Sequence, residues 1–149
     1  MTESIGLQIK RGLVTLFAAM PGVSAAYLNR PQPIGESETT TGAVINVREE
    51  VTTASSDNQI TLPQTMQLRV SIYCRVVAAG DPLDVVADPI LQAINTVMHD
   101  QVGARALPGV QGVTFIQKQP EVDGDAGRLD LFWNIMYRTY QLDLTQVAP

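Results

Sequence analysis

The sequence is short of most of what chemistry needs. It has one cysteine and one histidine in 149 residues. A single cysteine cannot close an internal disulfide, so the chain is expected to be made and kept in a cytoplasm. A single histidine cannot build a multi-histidine metal site. No run approaches the roughly 18 consecutive apolar residues of a membrane span, and the opening Met1-Thr2-Glu3-Ser4 lacks the basic region of a signal peptide. There is no block of Lys and Arg. With a net charge of −5, free nucleic acid and anionic membranes are poor direct partners. There is no internal repeat, no Gly-x-Ser-x-Gly elbow and no glycine loop ending in Gly-Lys-Ser/Thr. No cofactor and no metal is expected. What remains, 45% apolar and 17% charged, is ordinary for a globular protein, and the length suits one domain spanning 1–149 with a substantial core.

The most informative stretch is Met66 to Asp100. Met66, Leu68, Val70, Ile72, Cys74 and Val76 alternate with Gln67, Arg69, Ser71, Tyr73 and Arg75. Period two predicts a strand with one buried and one wet face. Gly80 breaks it. Asp81-Pro82 then opens a helix, with Asp84 near its positive end. Leu83, Val86, Ala87, Ile90, Leu91, Ile94, Val97 and Met98 form one apolar stripe. Strand and helix are expected to pack together. Pro89 should kink or split the helix, with Asp88 capping a second segment.

Ser4 to Met20 predicts a first helix with Ile5, Ile9, Leu13, Leu16, Phe17 and Met20 on one side, stopped by Pro21-Gly22. Val23 to Arg30 reads as a short strand with Val23, Ala25 and Tyr27 on one face, and Gly42 to Val51 as a strand with Ala43, Ile45 and Val47 inward and Asn46 and Arg48 outward. Polar loops are expected at about 31–41 and 52–64, long enough to suggest a role. Val110 to Gln119 reads as a strand, Glu121 to Gly127 as an Asp/Gly turn, and Arg128 to Leu144 as a long closing strand. The tail 146–149 is expected to fray. Together these predict an α+β fold: a mostly antiparallel sheet of four to five strands with two main helices on one face.

Few residues offer chemistry, and each has a plain alternative. His99 at a helix end complements the helix dipole. Cys74, on the buried face, acts as a small hydrophobe. Asp81, Asp84 and Asp88 have spacing that could hold a hard cation but suit cap and first-turn charges better. Asp123, Asp125 and Asp130 depart from the EF-hand spacing and read as a turn. Arg69, Tyr73 and Arg75, on the wet face of the long strand, could mark a binding surface; a solvated sheet face explains them equally well. On the closing strand, Leu129, Leu131, Trp133, Ile135 and Tyr137 alternate with Asp130, Phe132, Asn134, Met136 and Arg138. That far face is partly apolar, so Phe132, Met136 and Arg138 join the candidate contact surface. Trp133 and Tyr137 read as core, or as an interface anchor beside Arg138. The balance favours a structural or binding role over catalysis.

The order of elements carries a resemblance. A helix leads to Pro21-Gly22-Val23 and a short strand. A polar loop leads to Gly42-Ala43-Val44-Ile45-Asn46-Val47. Then come the strand Met66–Val77, Asp81-Pro82-Leu83-Asp84, a helix ending Val97-Met98-His99-Asp100, and a closing strand with Tyr137-Arg138-Thr139-Tyr140. This order resembles the tail terminator proteins of long-tailed bacteriophages, the lambda-type minor tail protein U group, over Ile5 to Leu144. The resemblance implies a small α+β protein that forms a homo-hexameric ring on the finished tail tube and stops its polymerisation. Such a ring offers the surface to which the head's connector or neck protein attaches. DNA passes through it without specific binding. The implied place is the head-proximal end of the virion tail, with assembly in the host cytoplasm. Three other classes compete: another head–tail joining protein, a monomeric small-ligand-binding module with an apolar pocket, and an enzyme using carboxylates such as Asp84, Asp88 or Asp123.

Overall fold

The computed structural model describes residues 3–54, 61–75, 83–123, 126–140 and 143–148. Helix α1 (Ile5–Ala18) begins where the Ser4 hydroxyl accepts from the Leu7 N–H at 3.3 Å, an N-cap that satisfies one orphan donor. Ile5, Ile9, Leu13 and Phe17 follow at four-residue steps and are all buried. Helix α2 (Leu83–His99) turns Leu83, Ala87, Ile90, Ile94 and Met98 into the same core. Of the kink or split expected at Pro89, the split does not occur: α2 runs through it. The carbonyl it leaves without a helical donor is that of Val85, four residues back, and Val85 is 59% exposed, where water can serve. Asp88 caps nothing. Its carboxylate accepts from the Gln92 amide at 2.6 Å along the helix. Asp81 and Pro82 lie outside the described residues.

Six strands make one sheet: β1 (Val23–Leu28), β2 (Ala43–Ala54), β3 (Thr61–Arg75), β4 (Val110–Asp123), β5 (Ala126–Tyr140) and β6 (Asp143–Val147). The order is β1-β2-β3-β5-β4, with β6 also on β5. Because β3 occupies one edge of β5 as far as Tyr140, β6 takes the other edge, beyond the start of β4 at Val110. The fold class is α+β as expected, but with six strands, and the sheet is mixed: β1 and β2 run parallel. A parallel pair needs a crossover of a dozen or more residues. Here the crossover is the stretch 29–42, which holds a 3-10 turn at Glu36–Thr39 within the predicted loop. Asn29 starts it in the left-handed region at φ 58°, which asparagine tolerates.

Four other expectations need correcting. A bulge between Val23 and Ala25 flips the parity of β1, so Val23, Ala26 and Leu28 pack on the core while Ala25 and Tyr27 do not. The predicted loop at 52–64 is shorter, since Thr52–Ala54 and Thr61–Gln64 pair as strand through their β-branched threonines; residues 55–60 lie outside the described ones. The closing strand is two strands, ending at Tyr140 and resuming at Asp143. The tail does not fray before Ala148, which is 3% exposed and donates its N–H to the Arg138 carbonyl at 3.1 Å.

One core joins both helices to one face of the sheet. It contains Ile45 and Val47 of β2, Met66 to Cys74 at every second residue of β3, and Leu129, Leu131, Trp133, Ile135 and Tyr137 of β5. Both His99 and Cys74 stay structural here. His99 ends α2 with its ring edge-on to Trp133 at 5.7 Å. Cys74 is buried, and that burial pushes its thiol up, away from the reactive thiolate.

A helix-free sheet face as candidate interaction site

The helices leave the other face of the sheet uncovered. Period two dictates which side chains stand there: the odd residues of β3 and the even residues of β5, locked by a register in which Arg69 lies opposite Phe132 and Tyr73 opposite Arg128. All six contact candidates, Arg69, Tyr73, Arg75, Phe132, Met136 and Arg138, therefore share this face. They do not form one cluster. Arg75 stands at one end and Arg138, opposite Pro63, at the other, twelve steps along β3 or roughly 40 Å.

The middle of the face is closed by its own side chains. The Arg69 guanidinium lies over the Phe132 ring at 5.4 Å and meets the Glu50 carboxylate at 2.7 Å. Phe132 is buried under it. Beside this pair the Ser71 hydroxyl donates to Asp130 at 2.6 Å, and Arg128 bridges Asp130, at 3.3 Å, to Glu121 of β4. Asp130, read in the sequence as part of a turn, is thus a buried strand residue, 4% exposed. Asp125 and the side chains of Asp84 and Asp123 lie outside the described groups. Sequence reasoning missed the Glu50–Arg69 and Ser71–Asp130 pairs. No local pattern announces them, because both depend on cross-strand register.

Near β1 and β2 the face is closed by the crossover. The Arg30 fork grips the Glu38 carboxylate with contacts of 2.7 and 3.0 Å and stacks over the Tyr27 ring at 4.7 Å. Glu38 also accepts from the Gly35 N–H at 2.8 Å. The Arg30 hydrogen bond, with the Gly35 bond behind it, holds the Glu38 carboxyl below the usual glutamate range. The Asn46 side chain accepts from the Arg30 N–H at 3.1 Å and fixes the base of the crossover to β2.

Among the described residues two patches remain, one at each end. At one end Arg75 is exposed and Tyr73 half-buried. At the other Met136 is 43% exposed, and the half-buried Arg138 reaches toward the Thr61 hydroxyl at 3.5 Å. Among the described residues no three His, Cys, Asp or Glu side chains gather to hold a metal ion.

No protein-family model and no curated protein matches the chain. Among solved structures, its fold is similar to that of a chain in the virion of a native gene transfer agent particle. The TM-score is 0.55 at 20% identity, with 91% of this chain and 92% of that chain covered. At this identity the likeness is one of fold.

Proposed function

We propose that this chain is a structural, non-catalytic protein of a phage-like virion, and within that class a tail terminator. The observation that carries the reading is the likeness of fold, over nearly the whole of both chains, to a chain of a gene transfer agent virion. The finer assignment rests on the order of elements that resembles the terminators. In this reading the chain forms a ring of about six copies on the tail tube, stops tube growth and presents a surface to the head's connector.

The geometry of the bare face supports ring contacts. A closed ring needs a heterologous interface, in which each copy uses two different patches. The Tyr73/Arg75 patch and the Met136/Arg138 patch lie at opposite ends of one face, separated by the self-closed Arg69–Phe132 centre. A net charge of −5 per subunit also suits a bore through which DNA slides without sticking.

The test is mass in solution across a concentration range, negative-stain imaging of the same samples, and binding to purified tail tubes. Rings with a central hole, or rings formed on tube ends, are the expected result. A chain that stays monomeric and ignores tail tubes sinks the reading. Binding to heads and not to tails converts it to another head–tail joining protein.

A further inference from the structure

The helix side of the sheet ends in a groove that the proposed ring contacts leave unused. Gln92, Asn95 and Thr96 of α2 form one wall, Phe115 and Lys118 of β4 the other, and Trp133 of β5 lines it between them; its volume is about 480 Å³. Three observations converge there. Trp133 is 1% exposed, and its indole nitrogen is buried without a hydrogen-bond partner among the described residues. A buried tryptophan N–H ordinarily finds an acceptor; the indole's ring contacts here are Phe115 at 5.1 Å and His99 at 5.7 Å. Lys118 is the one charged residue lining the groove, and it joins no ion pair among the described residues. Finally, β4 is the edge of the sheet and stays exposed from Thr114 to Glu121, with one row of backbone N–H and C=O groups unpaired.

The charged group lining the groove among the described residues is the Lys118 ammonium, a donor, so the occupant brings acceptors and negative charge. An open strand edge selects an extended chain. We propose that the β4 edge takes an extended acidic segment of a partner protein. The segment adds as a strand beside Thr114 to Gln119 and sets a carboxylate against Lys118, at the mouth of the groove that Trp133 lines. Pro120, which has no N–H, ends the pairing. The charge of Lys118 on this edge turns away plain apolar strands. This surface lies across the sheet from the six contact candidates and does not depend on the virion reading.

Trp133 is the chain's one tryptophan, so a single indole N–H resonance reports on the groove. The probes are a blocked eight-residue peptide of alternating valine and glutamate and its valine–lysine counterpart. The glutamate peptide should shift the indole resonance saturably, and Lys118→Glu should weaken that binding at least about five-fold, with Lys118→Gln between the two. The lysine peptide should leave the resonance in place. No shift with the glutamate peptide, equal shifts with both, or affinity indifferent to Lys118→Glu overturns the proposal. So does a shift that grows with protein concentration alone, which would give the groove to a second copy of the chain.

Discussion

The two faces of the sheet are made by the same strands, yet they exclude water by different means. Under α1 and α2 the side chains of β3 and β5 are aliphatic and aromatic, and the helices supply the cover. On the bare face no helix among the described residues is laid over the centre. Arg69 spreads over Phe132, Asp130 takes the Ser71 hydroxyl and Arg128, and the crossover shields the β2 side. The first face depends on shape, which charge and salt barely touch. The second depends on hydrogen bonds and ion pairs whose worth falls with salt and with exposure. A face of that second kind can be displaced or shared more readily, which is what a contact surface requires.

The sharpest way to break this comparison is to truncate a neighbour pair, one residue on each side. Leu131→Ala, beneath the helices, should cost about 2–5 kcal/mol in urea unfolding. Phe132→Ala should cost less, about 2 kcal/mol, because its cover is a single arginine side chain and not a packed helix. Equal losses would make the bare face a second core. Charge reversal comes next. Arg69→Glu should lower stability by about 1–3 kcal/mol, since it uncovers Phe132 and faces Glu50 with like charge. Arg75→Glu, at an exposed position, should stay within about 0.5 kcal/mol of the parent in unfolding while reducing ring formation or tail-tube binding. An Arg75→Glu chain that assembles normally removes its patch from the interface.

The smallest expected effect is that of pH on the crossover. Glu38 is held below its ordinary range by Arg30, so the stability it lends is present above the unfolded value and is lost as pH falls through the lowered folded one. The Gly35 amide should therefore exchange faster only in the acid range below the usual glutamate value, and Glu38→Gln should show the fast exchange at neutral pH. Protection of Gly35 that ignores both changes would mean that the backbone alone holds the crossover.

The helical stripes and the alternation of β3 were legible because each is a local period: Ile5, Ile9, Leu13 and Phe17 repeat every four residues, Met66 to Cys74 every two. What the sequence hid was mostly parity and pairing. Bulges interrupt β1, β2 and β4, and each moves the following side chains to the opposite face without any mark in composition. That is why Val23 does not share a face with Ala25 and Tyr27, and the Tyr27 ring lies under Arg30. Pro89 misled in another way: a missing N–H matters only when its carbonyl partner has nowhere else to turn, and solvent at Val85 is not visible in the chain. The six contact candidates fell on one face because β3 and β5 keep their alternation unbroken from the Thr61–Tyr140 pair to the Arg75–Ala126 pair. The groove at Trp133 was not legible, since it joins β4, β5 and α2 through tertiary placement alone.

The position of β5 in the sheet has a consequence for how the protein is made. It is the central partner of both β3 and β4, yet it begins only at Ala126, long after β3 ends at Arg75. At roughly 5–20 residues per second, a chain emerging from the ribosome carries β3 for several seconds with one edge unpaired. During that interval the sheet is open in the middle, and a translation pause between the two strands lengthens it. Yield of the soluble protein should therefore follow the speed of synthesis between Arg75 and Tyr140 more closely than the stability of the finished fold.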